Sequence, residues 1–214
     1  QPEPFLATIA PYRPDVVVAV ECIFTWYWLA DLCAREGVDF VLGHALYMKA
    51  IHGAKVKNDK VDSRKIAKLL SASLIPQAYV YPPKMRATRD LLRRRCYLVR
   101  QRSSLLAHVQ NSASQWNLPE FGQRPDRMHT HDWIAAQFSD PCVRRSIRAD
   151  LSLIAAMHRE VNDLERFILD TALVHDPNGL RLLQTIPGIG RTLSLVMLYE
   201  IHDIHRFDRV QEFA

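Results

Sequence analysis

The chain has 214 residues, of which 48% are hydrophobic and 24% are charged, proportions typical of a globular protein with a buried core. Its four cysteines show no C-x-x-C spacing, which argues against a structural zinc site or a disulfide framework. No apolar run approaches the ~20 residues that span a bilayer, and Gln1 opens no signal segment, so we predict a cytoplasmic protein with no membrane contact.

The positive charge of the chain is concentrated in two segments. Residues 49–68 and 84–102 carry 15 of the 28 lysines and arginines but only three of the 23 acidic residues. A basic zone on an otherwise acidic chain is the pattern expected of a protein that binds a polyanion such as DNA or RNA. The alternative is that both segments are ordinary solvated helix faces.

The first part of the chain predicts strands that alternate with helices. The β-branched run Val16–Val20, which ends before Glu21, predicts a buried strand, and Val38–Leu42 predicts a second one. Between them, Thr25–Glu36 predicts an amphipathic helix that Gly37 ends as a C-cap residue. This strand-helix-strand order is a β-α-β unit.

The elements predicted next are a short helix, a loop, a second helix and an extended segment: His44–Ile51, Gly53–Asn58, Asp59–Ser71 and Ala78–Tyr81. Four apolar residues of the second helix are expected to face inward: Val61, Ile66, Leu69 and Leu70. The aromatic residues that follow the first strand are interpreted as core residues: Phe24, Trp26, Tyr27 and Trp28.

Two long helices are predicted from apolar residues spaced seven apart. The first extends from Lys84 to about Asn117, and its stripe is Met85, Leu92, Val99, Leu106 and Ala113. The second stripe is Ile147, Ile154, Val161 and Ile168. At ~1.5 Å per residue the first helix extends roughly 50 Å, too long for a small domain to cover. Pairing within one chain and pairing between chains both remain open, and we expect this helical arm to support a homo-oligomer.

A tight connection between two helices is predicted near the C-terminal end. Gly179–Thr185 and Arg191–Ile201 predict helices, and Pro187 to Gly190 lie between them. The connection resembles a helix-hairpin-helix, in which Gly188 and Gly190 would let a phosphate approach the backbone N–H groups of the next helix and Arg191 would add charge. Any tight helix connection also uses Pro and Gly, which is the alternative interpretation.

Three acidic residues are candidate metal ligands. Asp59 and Asp62 are spaced i, i+3 on one helix face and could point together toward the strand end that carries Glu21. Mg²⁺, or Mn²⁺ in its place, prefers carboxylate oxygens, and paired ions can activate a nucleophile and stabilise the leaving oxygen of a phosphodiester. Taken singly, each acid has an ordinary alternative: Asp59 as an N-cap, Asp62 as a first-turn acid and Glu21 as a solvated strand end.

Two groups of basic residues, the first of them around these acids, are candidates for holding phosphate oxygens, in contacts that do not depend on nucleotide sequence. The first group is Lys55, Lys57, Lys60, Arg64 and Lys65. The second group, on the first long helix, includes Arg89, Arg93 and Arg94. No aromatic residues alternate with the second group, so we assign no base recognition to it.

Four segments resemble the DEDD transposases of the insertion sequence 110 family: VAVECIFTWYWLADLC, HALYMKAIHGAKVKNDKVDSRKIAKLL, YPPKMRATRDLLRRR and LLQTIPGIGRTLSLVMLYEIHDIHRF. The resemblance implies an α/β, ribonuclease-H-like (RuvC-like) catalytic domain over 1–83. It further implies a helical coiled-coil arm over 84–177 and the start of a helical, helix-hairpin-helix-like DNA-binding domain over 178–214.

The resemblance also implies a function. Family members are DNA transposases that use a bridge RNA as a guide, and Glu21, Asp59 and Asp62 match their second, third and fourth acids. The first acid would precede Gln1, and the family's catalytic serine would follow Ala214. Ser194 lies in an apolar helix and is interpreted as a packing residue. We therefore expect a fragment that binds nucleic acid without processing it.

Two other functions remain open from the sequence. A junction-resolving nuclease would use the same acids but a metal-activated water as the nucleophile. A noncatalytic module for nucleic-acid binding or dimerisation would use only the basic surface and the helical arm.

Overall fold

The protein is described by a computed structural model that gives the backbone of residues 1–51 and 59–213 and the side chains of residues 1–48 and 60–211. The described residues form two compact units, Gln1–Pro83 and Lys84–Ala214. Among the described helices, none combines the length and the apolar character needed to cross a membrane.

A two-stranded parallel sheet organises the first unit. Strand β1 (Val17–Glu21) pairs with β2 (Asp39–Gly43), and the register sets Glu21 opposite Gly43. Helix α2 (Trp26–Glu36) joins the strands and ends at Gly37, whose φ of 64° is the left-handed conformation that glycine adopts without strain. The predicted β-α-β unit is therefore confirmed. The ribonuclease-H-like fold as a whole stays a prediction.

The remaining elements of this unit flank the sheet. Helix α1 (Pro2–Ile9) was not predicted, and its Ile9 packs with Cys33 of α2 in one of the unit's small cores. Helices α3 (Ala45–Ile51) and α4 (Asp59–Ser71) agree with the prediction. The predicted loop, Gly53–Asn58, lies outside the described residues.

Two sequence expectations for this unit are corrected. Val61 is exposed, because it lies about 140° around the helix from Ile66, while Leu69 and Leu70 lie close to that direction. The extended segment at Ala78–Tyr81 stays a prediction. At its start, Gln77 makes an isolated antiparallel bridge to Gly43, and the N–H of Ala78 donates to the carbonyl of Leu42 at 2.7 Å.

The second correction concerns the aromatic residues after β1. Trp26 is buried, but Phe24 is fully exposed and Trp28 is 43% exposed. Phe24 precedes α2, so the apolar face of that helix does not include it.

The second unit is built on two long helices. Helix α5 (Pro83–Gln115) has 33 residues and α7 (Pro141–His175) has 35. Asp140 caps α7, accepting hydrogen bonds from the N–H groups of Cys142 and Val143. The predicted pair of long helices is confirmed.

The shorter elements of the second unit lie between the long helices and after them. They are a 3₁₀ turn at Met128–Thr130, α6 (His131–Ala136), α8 (Pro177–Gln184), α9 (Arg191–Ile201), a 3₁₀ turn at Ile204–Arg206 and α10 (Val210–Phe213).

The long helices pair within the chain and run antiparallel. Three polar contacts show the direction, because their residue numbers rise along α5 and fall along α7. They are Arg95 with Glu165, Arg102 with His158, and His108 with Asp150. Intrachain pairing thus answers the question that the sequence left open. A coiled coil and self-association through this arm stay predictions.

Each end of the helix pair has its own apolar core. At one end, Val109 and Ala113 of α5 pack with Ile147, Leu151 and Ile154 of α7. Ile134 of α6 and Phe138, two residues after α6, complete this core. At the other end, Met85 and Leu92 pack with Ile168 and Ala172, and α8 and α9 cover them with Leu180, Leu195, Leu198 and Tyr199. Val99 lies between the two cores and is only half-buried. Helices α8 and α9 therefore share a core with the long helices.

We expect Ile154→Ala to destabilise the second unit by about 2–5 kcal/mol, because the fully buried side chain leaves a cavity. The neighbouring Leu153 is 49% exposed, so Leu153→Ala is the matched control and should cost about 0.5 kcal/mol or less. Urea unfolding followed by far-UV circular dichroism measures both. Equal costs for the two variants would contradict the intrachain core.

Candidate nucleic-acid and metal site

The parallel sheet sets one candidate metal ligand at its carboxyl edge. Glu21 is the last residue of β1, and the N–H of the next residue, Cys22, donates to the carbonyl of Gly43 at 2.8 Å, so both strands end at the same edge. Helix α4 packs against β1. Asp62 lies in the first turns of that helix, with 48% of its side chain exposed and Lys65 Nζ 3.6 Å from its carboxylate.

The third candidate ligand and two of the basic residues near it lie outside the described side chains. The side chain of Asp59, at the start of α4, and residues Lys55 and Lys57 lie outside the described part of the chain. Within the described side chains, no three His, Cys, Asp or Glu groups lie close enough together to hold a metal ion. The described residues therefore bring the elements that bear Glu21 and Asp62 together, but they do not assemble a complete ligand set.

The described basic residues of α4 face solvent to different degrees. Lys60 and Arg64 are exposed, whereas Lys65 is half-buried and is paired with Asp62. A phosphate can reach only basic side chains that are open to solvent, and Lys60 and Arg64 meet that condition.

The second basic group makes contacts that the sequence did not suggest. Arg89 Nη2 lies 2.8 Å from Glu200 Oε2, and Arg93 donates from Nε to Oε1 at 2.6 Å and from Nη2 to Oε2 at 2.9 Å. Arg94 is exposed and lies over the ring of Tyr97 at 5.0 Å. Two of the three predicted phosphate ligands are therefore bound to one carboxylate of α9.

The arginines also set the ionisation of Glu200. Partial burial alone would raise the pKa of this carboxyl, but the hydrogen bond from Arg93 and the charges of Arg89 and Arg93 hold the pKa below its ordinary value. Glu200 is therefore an anion at neutral pH. Its negative charge offsets part of the positive charge that the sequence shows for residues 84–102.

A tight turn connects α8 to α9. The N–H of Ile189 donates to the carbonyl of Ile186 at 3.0 Å, Pro187 occupies the second position, and Gly188 occupies the third with φ +86°. These are the features of a type II turn, in which the third residue needs the positive φ that glycine accepts. The predicted hairpin connection is present, and its glycine has a structural reason.

The start of α9 presents unused backbone donors. Gly190 is its N-cap and provides no side-chain acceptor, and in the described part of the chain no group accepts from the N–H of Arg191, Thr192 or Leu193. Arg191 is exposed. A Cβ at Gly190 would meet nothing within 4 Å, so the space beside this N-cap residue is open. Such an end suits a phosphate chemically.

The rest of α9 is anchored in the core. Ser194 is fully buried and donates to the carbonyl of Gly190 at 3.0 Å, which agrees with its interpretation as a packing residue. Tyr199 is fully buried and its hydroxyl lies 2.9 Å from His175 Nδ1 at the end of α7. Burial raises the pKa of Tyr199 to about 12.

The sequence of this anchored segment matches a known protein family. Residues 180–214 match the transposase IS116/IS110/IS902 family. The matched stretch begins at Leu180 in α8 and includes the turn and all of α9. This supports a transposase, and hence a recombinase class of enzyme. The DEDD set, the bridge RNA and the fragment boundaries rest on the resemblance alone. A comparison with curated proteins found no match.

Tyr199 predicts a pH dependence of stability. An ordinary tyrosine has a pKa of 10, so the buried neutral phenol stabilises the fold fully below pH 10, and its contribution is lost as the pH rises toward about 12. The loss should be roughly 1 kcal/mol per pH unit in this window. We would compare the free energies of unfolding of the wild type and of Tyr199→Phe from neutral pH to pH 12. The change in their difference with pH isolates the loss of stability that Tyr199 causes. A difference that stays constant with pH would count against it.

Proposed function

We propose that this chain is part of an RNA-guided DNA transposase that binds DNA and cuts and rejoins it with divalent metal. The match of residues 180–214 to a transposase family carries the proposal. The resemblance of the first unit and the long helices to the insertion sequence 110 family supports the same assignment. The guide RNA, DNA binding and a homo-oligomer are part of the proposal.

The proposed metal ligands are Glu21, Asp59 and Asp62. The two described ones fit a hard divalent cation: both are carboxylates, neither is fully buried, and they lie on elements in contact. Bound Mg²⁺ or Mn²⁺ would activate a nucleophile and stabilise a leaving oxygen. Lys60 and Arg64 would hold phosphate oxygens near these carboxylates.

We expect Asp62→Asn to abolish recombination by the full-length protein, because the amide removes a ligand charge. The loss should exceed about 100-fold, since even the outer partners of metal ligands are worth 10–100-fold. Recombination on donor and target DNA with guide RNA, and with Mg²⁺ varied, measures it.

The matched control is Asp39→Asn. Asp39 is exposed and begins β2, at the opposite edge of the sheet from Glu21, so activity should be unchanged. Full recombination by a folded Asp62→Asn protein would remove the metal assignment. Metal-dependent nicking without a covalent protein–DNA adduct would instead favour the junction-resolving nuclease.

We expect Gly190→Ala to weaken DNA binding several-fold without unfolding the protein. The new Cβ meets no protein atom within 4 Å, but it projects at the N-terminus of α9, where the proposed phosphate would lie. Fluorescence anisotropy with duplex DNA over a salt series measures the affinity and its log–log slope, expected at about −0.9 per neutralised phosphate.

The control for this variant is Gly122→Ala, which also adds a methyl group where nothing lies within 4 Å. It should leave the affinity unchanged. If Gly190→Ala binds like Gly122→Ala, then the turn is only a structural connection. Binding that does not depend on salt would contradict the phosphate-binding role of the basic residues as a whole.

A further inference from the structure

We propose that Glu200 occupies a DNA phosphate site on α5, so that a phosphate of bound duplex DNA replaces its carboxylate between Arg89 and Arg93. This inference rests on the proposed nucleic-acid binding and specifies how one part of that surface is regulated. In the absence of DNA, the carboxylate of α9 holds both guanidinium groups in place.

The geometry is that of an anion clamp. Both Glu200 oxygens are used: Oε1 accepts from Arg93 Nε at 2.6 Å, and Oε2 accepts from Arg93 Nη2 and Arg89 Nε at 2.9 Å each. A phosphodiester offers the same two anionic oxygens to a guanidinium fork, so the arrangement suits either ligand.

Solvent access permits the exchange on one side of the clamp. The side chain of Arg93 is 56% exposed and that of Glu200 is 30% exposed, whereas that of Arg89 is only 12% exposed. An incoming phosphate would therefore meet Arg93 first. Arg89 would stay in place and provide the inner wall of the site.

The position of Glu200 in the chain links the clamp to the proposed DNA-binding turn. Glu200 lies in the last turn of α9, the helix whose first turn presents the unused N–H groups beyond Gly190. Arg206 Nη2 also donates to the Glu200 carbonyl at 3.2 Å, so the chain after α9 is tied to the same point. A phosphate in the clamp would release the Glu200 side chain from α5.

The chain contains a matched pair for comparison. Arg95, also on α5, donates to Glu165 of α7 from Nε at 2.8 Å, but the side chain of Arg95 is only 16% exposed. Neutralising Glu165 changes the net charge of the protein by the same amount as neutralising Glu200. The arginine beside Glu165 is less exposed than Arg93, so DNA has less access to it.

The test measures binding of duplex DNA by wild type, Glu200→Gln and Glu165→Gln over a salt series. Glu200→Gln should bind roughly tenfold more tightly at about 50 mM salt, the worth of one charge-assisted hydrogen bond. Its log–log salt slope should match that of the wild type, because the same phosphate is bound in both proteins and only the competing carboxylate is lost. Glu165→Gln should match the wild type, and Arg93→Gln in the Glu200→Gln background should remove the gain.

Two results would overturn the inference while leaving DNA binding itself intact: equal affinities of Glu200→Gln and Glu165→Gln, or a gain that survives Arg93→Gln. By contrast, no salt-dependent binding by any variant would overturn the proposed function instead. Thermal unfolding checks that the variants fold, and Glu200→Met, similar in length and uncharged, replaces Glu200→Gln if the latter does not.

A further pair of variants does not depend on changing Glu200. In the otherwise wild-type chain, Arg93→Gln should weaken DNA binding and make the salt slope shallower by about 0.9, as expected for one lost phosphate contact. Arg95→Gln should leave both quantities unchanged. Equal effects of the two substitutions would count against a phosphate site at Arg93.

Discussion

The mutual burial of α5 and α7 is the constraint on which the second unit depends. Each helix has more than 30 residues and carries an apolar stripe, and neither stripe can be covered by the short helices alone. Antiparallel pairing covers both stripes and leaves one core at each end. The core at one end receives α6, and the core at the other receives α8 and α9. The orientation of α9, and with it the turn at Gly188, follows from this pairing.

Salt bridges from α5 to α7 and α9 reduce the positive charge that the basic residues of α5 present to solvent. Arginine on one helix and carboxylate on another satisfy each other where both are partly removed from water, which lowers the cost of burying either. Glu200 and Glu165 therefore neutralise part of the charge that the sequence of α5 displays. The positive charge that DNA could meet at α5 is smaller, and more localised at exposed residues such as Arg94, than the count of basic residues implies.

In the first unit the parallel sheet serves a different purpose. Parallel strands end at a common edge of the sheet, so Glu21 at the end of β1 lies beside Gly43 at the end of β2. The chain continues from Gly43 into α3. The contact of α4 with β1 brings a second acidic element to this sheet. These features make a carboxylate site structurally reasonable in this unit, and the ligand role of each acid rests on the family resemblance.

The sequence by itself determined the local elements. The β-branched runs, Gly37 and the seven-residue apolar stripes predicted both strands and the long helices to within a few residues, because strand alternation, helix capping and helical periodicity are local properties. It also predicted the Pro187-Gly188 turn and the packing role of Ser194. The tertiary structure alone decided that the long helices pair within one chain, that Val61 and Phe24 are exposed, and that Arg89 and Arg93 bind Glu200. Glu200 is more than 100 residues from both arginines along the chain, and no local pattern encodes which distant side chain a folded helix will meet.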